Sequence, residues 1–234
     1  MKKIFAHAAR SLLNKFGYSF VRQRDDVPEV LFSPLDHERD SSEYNTIWSH
    51  EGFITKYLNK GRIQFYRALR DFIKSRVNIH TVTSVVDVGC GPGYMLKLVS
   101  ELNPEARLVG LDFSSEVLKV ARKICPSATF QKHDVYEELG EKFDLLVCSE
   151  ILEHLDYPSK VLDQFTSSAL SIVLTVPNGR KDNYQSHINF WSMRSWEVFL
   201  EPYTKQWDYK TCFLCGEGKI ATIMRKRMLR GNEM

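Results

Sequence analysis

Long apolar runs are missing from this 234-residue chain, although 43% of its residues are hydrophobic. No stretch reaches the roughly 18 consecutive apolar residues that a membrane-spanning helix needs, so the sequence predicts no transmembrane segment. A secretory signal is not expected either, because no unbroken apolar core or small-residue cleavage site follows the first basic residues. The apolar content still suffices for the core of one α/β domain with an added segment.

Cysteine is scarce and odd in number, with five thiols scattered along the chain. This pattern indicates a reducing compartment with free thiols rather than a disulfide framework. Cys212 and Cys215 form a single C-x-x-C that lacks a second pair and a nearby His ligand. We interpret them as two thiols of a strand pair and expect no zinc site.

Acidic residues are absent from two basic stretches near the ends of the chain, residues 1–24 and 219–230. Residues 1–24 carry six basic residues, and residues 219–230 carry five. The stretch between them, 25–218, holds 21 basic and 28 acidic residues. An enzyme that acts on nucleic acid usually lines its groove with Lys and Arg, so we expect no nucleic-acid partner for this body.

The first 42 residues predict a separate segment. Residues 2–16 place apolar side chains on one helical stripe among basic residues, which is typical of a basic amphipathic helix. Three uses remain open for it, namely packing on its own domain or a partner, docking on a membrane surface, and a mitochondrial presequence. Residues 25–43 form a linker or irregular arm. We therefore predict an arm over 1–42 and one domain over 43–234, located in the cytoplasm, with the membrane surface as the alternative. Oligomeric state is not predicted.

Strand and helix patterns alternate from Val82 onward, after two predicted helices over 43–59 and 62–76 that Gly61 separates. Alternation of short strands with helices predicts a parallel sheet with crossover helices. The fold class predicted is α/β, a Rossmann-like doubly wound sheet that is mostly parallel, ends in a C-terminal antiparallel hairpin strand and carries N-terminal helices. The predicted strands after the first one cover residues 107–111, 128–133, 143–148, 171–176, 205–215 and 219–226.

Residues 84–96 give the main functional signal of the sequence. The stretch begins with a short β-branched run, continues with Gly89, Gly91 and Gly93 at alternate positions, and ends in a helical apolar pattern. A strand, glycine turn and helix of this kind bring backbone and free N–H groups close to a ligand. The spacing is G-x-G-x-G preceded by Asp87, whereas a dinucleotide fingerprint is G-x-G-x-x-G. A nicotinamide oxidoreductase is therefore disfavoured.

Suggestive residues also follow the later strands. Asp112 lies 19 residues past Gly93, near the spacing at which an acid meets a ribose diol. Asp134 ends the third strand, and Glu153 and His154 follow the fourth. In an open parallel sheet these strand ends share one edge, where ligands bind.

Together these motifs, over about residues 82–178, resemble the class I S-adenosylmethionine-dependent methyltransferases, in the branch that methylates ubiquinone precursors and other small molecules. By resemblance, the cofactor S-adenosylmethionine has its methionine part on the glycine turn and its ribose on Asp112. Asp134 with Val135 meets the adenine, and the residues at 148–150 border the methyl group. The cofactor-binding set implied is Asp87, Gly89, Cys90, Gly91, Gly93, Asp112, Phe113, Asp134, Val135, Cys148 and Ser149.

Two differences from the motifs of other methyltransferases narrow the range of expected acceptors. Residues 148–151 read Cys-Ser-Glu-Ile, not the Asp/Asn-Pro-Pro-aromatic element of amino-methylating DNA enzymes. No Asp-Asp-Asn cluster of hard-cation ligands is evident, so we expect no magnesium or other metal.

The resemblance implies methyl transfer to a small molecule or glycan intermediate, at oxygen. For an oxygen acceptor a general base helps, and the candidates are His154, then His187, then Glu150. An RNA or protein acceptor, or a non-catalytic relative that only binds S-adenosylmethionine, is the alternative.

Overall fold

Short β-branched runs build a seven-stranded sheet in the computed structural model, which describes residues 40–50, 52–182, 184 and 186–227. The strand order is β3-β2-β1-β4-β5-β7-β6, and β7 pairs antiparallel with both β5 and β6 while the other pairs are parallel. This confirms the predicted mostly parallel sheet with an antiparallel hairpin end. The strands are β1 (Ser84–Val88), β2 (Arg107–Asp112), β3 (Thr129–Lys132), β4 (Phe143–Ser149), β5 (Ala169–Pro177), β6 (Trp207–Leu214) and β7 (Lys219–Lys226).

Alternate residues of the central strands enter two hydrophobic cores, one on each face of the sheet. Val85 and Leu145 belong to one core, and their neighbours Val86 and Leu146 belong to the other, all with no exposed surface. Strands covered on both faces need apolar side chains at successive positions, which explains why these runs are continuous rather than alternating.

Helices cover both faces. The α-helices are α1 (Ser41–Ser49), α2 (Phe53–Tyr57), α3 (Lys60–Arg76), α4 (Tyr94–Leu102), α5 (Ser115–Ile124), α6 (Pro158–Ser168) and α7 (Met193–Leu200). Ser114, a residue type that favours the first position before a helix, caps α5, since its Oγ accepts the N–H of Val117 at 3.4 Å. Among the described residues, no helix is both long and apolar enough to cross a membrane.

The N-terminal helices differ from the prediction of one helix over 43–59. The chain breaks between α1 and α2, where Gly52 has a φ of 78°. Gly61 does not separate two helices but lies in the first turn of α3, because Asn59 caps that helix by accepting the N–H of Arg62 at 3.0 Å. The predicted amphipathic helix over 2–16, and the arm up to residue 39, lie outside the described residues.

The segment after β4 also differs. The alternation of strands and helices predicts a helix that holds Glu153 and His154, but these residues form a 3₁₀ turn, Leu152–His154, and the α-helix begins only at Pro158. The main-chain carbonyl of Glu153 accepts the N–H groups of Ile188 and Asn189 at 2.9 and 3.0 Å, which ties this turn to the segment after β5. Those contacts fix a compact turn where a long helix was expected.

Strand order reverses beside β1, because β1 continues to β2 on one side while β3 crosses back to β4 on the other. Such a switch point opens a crevice at the carboxyl ends of the strands. The glycine turn after β1 and the turn after β4 both lie at this crevice. These two turns carry predicted cofactor-binding and catalytic residues.

Candidate active site

A cavity of about 310 Å³ lies beyond the carboxyl ends of β1, β2, β3 and β4. One wall comes from the turns after these strands, and the opposite wall comes from α1, α2 and the first turn of α3. The wall from the N-terminal helices consists of Tyr44, Ile47, Trp48, Phe53, Tyr57 and Arg62. A cavity closed by aromatic side chains over polar strand ends is typical of a small-molecule site.

The glycine turn needs glycine for two different reasons. Gly89, Gly91 and Gly93 have φ values of 74°, 51° and 73°, in the left-handed region that other residues adopt only with strain. A Cβ on Gly89 would lie 2.3 Å from Cδ1 of Ile151, and one on Gly93 would lie 2.9 Å from the Phe130 ring. At Gly91 the nearest atom within 4 Å is the Tyr57 hydroxyl, at 3.8 Å. Gly89 and Gly91 both line the cavity, but only at Gly91 would an added side chain have open space in front of it.

Asp112, at the end of β2, supports this turn directly. Its two carboxylate oxygens accept the N–H of Gly91 and the N–H of Ser114, each at 2.9 Å. Burial raises its pKa to about 6, against the lowering effect of these hydrogen bonds. Asp112 also lines the cavity, so it can still accept hydrogen bonds from a bound hydroxyl.

The residues after β2 and β3 continue the same wall. Phe113, Asp134 and Val135 line the cavity, and the last two are the residues that the family resemblance assigns to the adenine. The Phe113 ring lies 4.8 Å from the Tyr44 ring, so α1 closes over it. Asp134 holds its loop by accepting the N–H of Tyr136 at 2.9 Å. An apolar ring beside a carboxylate suits a heteroaromatic group with an exocyclic amine.

Five residues of the predicted cofactor set lie behind the cavity wall rather than on it, as far as the described residues define that wall: Asp87, Cys90, Gly93, Cys148 and Ser149. Asp87 is 2% exposed, and burial together with the charge of Asp112 raises its pKa to about 7. Ser149 shares a hydrogen bond with Thr175 across β4 and β5, at 2.8 Å. These positions support the turns that reach the cavity.

Glu150, the residue after β4, has a φ of 61°, which is unusual for a residue with a side chain. Its carboxylate contacts the ammonium of Lys219 and accepts the Thr175 hydroxyl at 3.3 Å. Backbone strain of this kind clusters at functional sites. Because one oxygen is ion-paired, Glu150 is poorly placed to act as a free base.

Glu153, His154 and His187 form one cluster on the cavity wall. The two imidazole rings lie 4.6 Å apart, and Nε2 of His187 lies 3.9 Å from Oε1 of Glu153. Nδ1 of His154 donates to the Ser186 carbonyl at 3.0 Å, and Nδ1 of His187 pairs with Asp182 at 2.5 Å. The two histidines proposed as alternatives from the sequence thus belong to one constellation.

Sequence reasoning missed three residues of this site, namely Arg62, Asp182 and Lys219, and it named Glu153 without giving that residue a role. Arg62 and Lys219 come from α3 and from the start of β7, far from the motifs in sequence. Asp182 had a weak signal, since it stands five residues before His187 in a polar stretch. Glu153 stood beside a named histidine, but only the fold reveals its complete burial.

Residues 86–171 match a family model described as a methyltransferase domain. A trans-aconitate 2-methyltransferase from Azoarcus sp. is 42% identical over 69 residues, which are 30% of this chain and 27% of that protein. A mitochondrial ubiquinone biosynthesis O-methyltransferase from Saccharomyces cerevisiae is 26% identical over 121 residues, 49% of this chain and 38% of that protein. The matched segments thus span about a quarter to two fifths of the length of these relatives.

Solved structures share the fold. Magnesium protoporphyrin IX methyltransferase from Synechocystis, determined with bound S-adenosylmethionine, has a TM-score of 0.61 at 14% identity and covers 88% of this chain and 100% of that one. The plantazolicin methyltransferase BpumL, in complex with S-adenosylhomocysteine, has a TM-score of 0.59 at 16% identity and covers 78% and 94%. Together with the predicted motifs and the observed sheet, the match over residues 86–171 identifies a methyltransferase domain of the class I S-adenosylmethionine-dependent type in this chain.

Proposed function

We propose that this protein transfers the methyl group of S-adenosylmethionine to an oxygen atom of a small-molecule or glycan-intermediate acceptor. One observation carries the proposal, which is that the glycine turn with Asp112 and the Glu153–His154–His187 cluster line the same cavity. The first suits a cofactor with a charged amino-acid part and a ribose, and the second suits an acceptor that must lose a proton.

The cofactor side follows from chemistry that the family shares. Gly91 leaves its side of the turn open for the methionine part, and Asp112 accepts from the ribose hydroxyls. Phe113, Asp134 and Val135 receive the adenine. The sulfonium is already a strong electrophile, so the protein mainly has to align the acceptor opposite the sulfur, and orientation alone can supply about 7–11 kcal/mol in favourable cases.

The acceptor side is the histidine cluster. As the new C–O bond forms, the S–CH₃ bond breaks, its electron pair stays on sulfur, and the acceptor's proton leaves. His154 and His187 each direct Nδ1 to a fixed partner, so Nε2 of each neutral ring carries the lone pair. We propose that the cluster as a whole lowers the cost of this proton loss, with His154 as the first candidate for contact with the acceptor.

Two relatives favour oxygen and small acceptors. The yeast relative is an O-methyltransferase of ubiquinone biosynthesis, and the Azoarcus relative acts on trans-aconitate. The net acidic balance of residues 25–218 argues against a polyanionic acceptor such as RNA.

The test combines binding and turnover. Calorimetry with S-adenosylmethionine and with NAD⁺ should show binding of the first only. A panel of phenols, carboxylic acids and sugar derivatives, assayed for S-adenosylhomocysteine release, should yield at least one acceptor. His154→Ala should then lower the catalytic rate by about 10²–10⁴-fold at nearly unchanged cofactor affinity. Tight cofactor binding without turnover on any oxygen acceptor would contradict the proposed reaction.

A further inference from the structure

Glu153 poses an electrostatic problem that its surroundings do not solve. Its side chain has no exposed surface, and neither carboxylate oxygen has a hydrogen-bond partner among the described residues. A buried acceptor without a donor costs about 1–3 kcal/mol, and more when it is charged. Protonation would remove the charge but would leave the remaining oxygen lone pairs unpaired. A carboxylate that is buried, has no hydrogen-bond partner among the described residues and lines a cavity points to a missing ligand.

The neighbours of Glu153 are suited to a cation. One ligand atom from each of Glu153, His154 and His187 lies within 4.8 Å of the others. Ligand atoms about 2.1 Å from a metal lie between about 3.0 Å apart at right angles and about 4.2 Å apart when opposite. The 3.9 Å between Nε2 of His187 and Oε1 of Glu153 falls in that span, whereas the 4.8 Å limit for the three atoms together is wider, so a bound cation would draw the ligand atoms closer.

The second layer around the histidines has the form found around metal ligands. A metal-binding His generally donates its other ring N–H to a carboxylate or a main-chain carbonyl, which fixes the tautomer and the ring orientation. His187 directs Nδ1 to Asp182, and the two side chains are only 9% and 7% exposed. His154 directs Nδ1 to the carbonyl of Ser186. Both rings are thereby held with a lone pair on Nε2.

We propose that Glu153, His154 and His187 bind a divalent first-row transition-metal cation of the Mn²⁺ type in the acceptor half of the cavity. Two imidazoles and one carboxylate suit Mn²⁺, Fe²⁺, Co²⁺ or Zn²⁺, whereas Mg²⁺ and Ca²⁺ prefer oxygen ligands. Three protein ligands leave open positions, which face the cavity. This replaces the expectation from sequence that the chain uses no metal.

The role of the cation rests on the proposed function. An acceptor hydroxyl bound at an open position would have a lowered pKa and would release its proton to solvent water before attack on the methyl group. With the cation bound, the Nε2 lone pairs of the two histidines hold the metal, so the cation takes the place of His154 as the group that contacts the acceptor, and Asp182 acts as a positioning residue.

Metal binding can be measured without any acceptor. The full-length protein, stripped with a chelator, is titrated with Mn²⁺ and followed by electron paramagnetic resonance. We expect one Mn²⁺ per chain, with nitrogen modulation in pulsed spectra from the imidazoles. Glu153→Gln and His187→Ala should each weaken binding at least 100-fold, and Asp182→Asn by about 10–100-fold. His80→Ala, an exposed histidine elsewhere, should bind Mn²⁺ like the wild type.

Thermal unfolding and S-adenosylmethionine calorimetry on each variant separate loss of Mn²⁺ binding from loss of folding and from loss of cofactor binding. Variants that stay folded, keep cofactor affinity and lose Mn²⁺ support the site. A wild-type protein that binds no stoichiometric Mn²⁺, or folded Glu153→Gln that binds it equally well, overturns the site even if methyl transfer is intact. Loss of the proposed function would appear differently, as stoichiometric Mn²⁺ binding in a protein with no affinity for S-adenosylmethionine.

Discussion

Gly91 donates its main-chain N–H to Oδ2 of Asp112 across 2.9 Å, so the glycine turn after β1 and the acid after β2 are joined in the protein itself. The other oxygen of Asp112 accepts the N–H of Ser114, which begins the approach to α5. We therefore propose two functions for Asp112, namely to shape the turn that we assign to the methionine part and to accept hydrogen bonds from the ribose. Substitutions at this position have to separate the two.

Asp112→Asn tests this dual function more cleanly than removal of the side chain. Asparagine retains one oxygen acceptor but loses the charge, and a hydrogen bond to a charged group contributes about 1.5–3 kcal/mol. We expect S-adenosylmethionine affinity to fall by at least about tenfold. Asp112→Ala should lose affinity and also lower the free energy of unfolding, because two buried N–H groups lose their acceptor. Wild-type affinity in folded Asp112→Asn, by calorimetry, would remove Asp112 from the ribose site.

Gly91 and Gly140 form a matched pair for the glycine turn. Both have positive φ values, 51° and 70°, and neither would place a Cβ closer than 3.8 Å to a neighbouring atom. Gly91 lines the cavity and Gly140 does not. Valine at either position should therefore carry a similar backbone strain of about 1–3 kcal/mol. Only Gly91→Val should abolish cofactor binding, because only its side chain occupies the ligand's space.

The comparison is read by calorimetry beside thermal unfolding. Equal loss of cofactor affinity in Gly91→Val and Gly140→Val would show that strain, rather than occupied space, causes the effect. Retained affinity in Gly91→Val would place the cofactor elsewhere.

Asp87 predicts an unusual dependence of stability on pH. Burial and the nearby charge of Asp112 raise its pKa to about 7 from an ordinary value of 3.8. Between these two values the folded protein binds more protons than the unfolded chain, so the free energy of unfolding falls as the pH rises through about 4 to 7. The full shift corresponds to at most about 4 kcal/mol. Asp112 adds a smaller change of the same sign.

Asp87→Asn removes the ionisation while keeping the shape. We expect the variant to be more stable than the wild type at pH 8 without cofactor, and the difference to shrink towards pH 4. Denaturant unfolding at several pH values measures this directly. Asp71→Asn is the control, because the side chain of Asp71 is 62% exposed. A stability difference independent of pH would mean that Asp87 is ionised without penalty.

The sequence predicted the scaffold well because strong local signals and global topology agree. β-branched runs, the glycine spacing and Ser114 as a cap each define an element within a few residues. The hairpin after Trp207 was also predicted, since glycines at 216 and 218 separate two apolar runs. Where the prediction of structure was wrong, long-range contacts decide. The main-chain hydrogen bonds from Ile188 and Asn189 hold residues 152–154 in a short turn, and no local pattern encodes them.

Site residues could be predicted from the sequence only where they belong to a motif with a characteristic spacing. The glycine turn and the acids after β2 and β3 have characteristic spacings, whereas Lys219 reaches Glu150 from a strand 69 residues away. Likewise, the meeting of His154 with His187 depends on the segment after β5 folding back over the turn after β4. Such pairs depend on the topology of the fold. The sequence alone therefore indicated the two histidines as alternative general bases, whereas in the structure they belong to one cluster.

Arg62 gives the last prediction, which concerns the charge of the acceptor. Its guanidinium lies over the Tyr57 ring, with Cζ 4.8 Å from the ring centroid, and it lines the cavity. Among the described residues its side chain makes no ion pair or hydrogen bond. Burial lowers its pKa, but Tyr57 and Tyr66, and after them Glu150 and Glu153, raise the pKa above its ordinary value. A guanidinium that is stacked on an aromatic ring and has no hydrogen-bond acceptor among the described residues suits a carboxylate or phosphate of the acceptor.

Arg62→Met should therefore raise the KM of an anionic acceptor at least about tenfold, since a charge-assisted hydrogen bond contributes about 1.5–3 kcal/mol. Neutral acceptors should be affected little. The exposed Arg67→Met on the same helix is the control, and the readout is steady-state kinetics on paired anionic and neutral acceptors. If both kinds of acceptor lose activity equally in Arg62→Met, the guanidinium only offsets the charges of Glu150 and Glu153, and the acceptor need not be an anion.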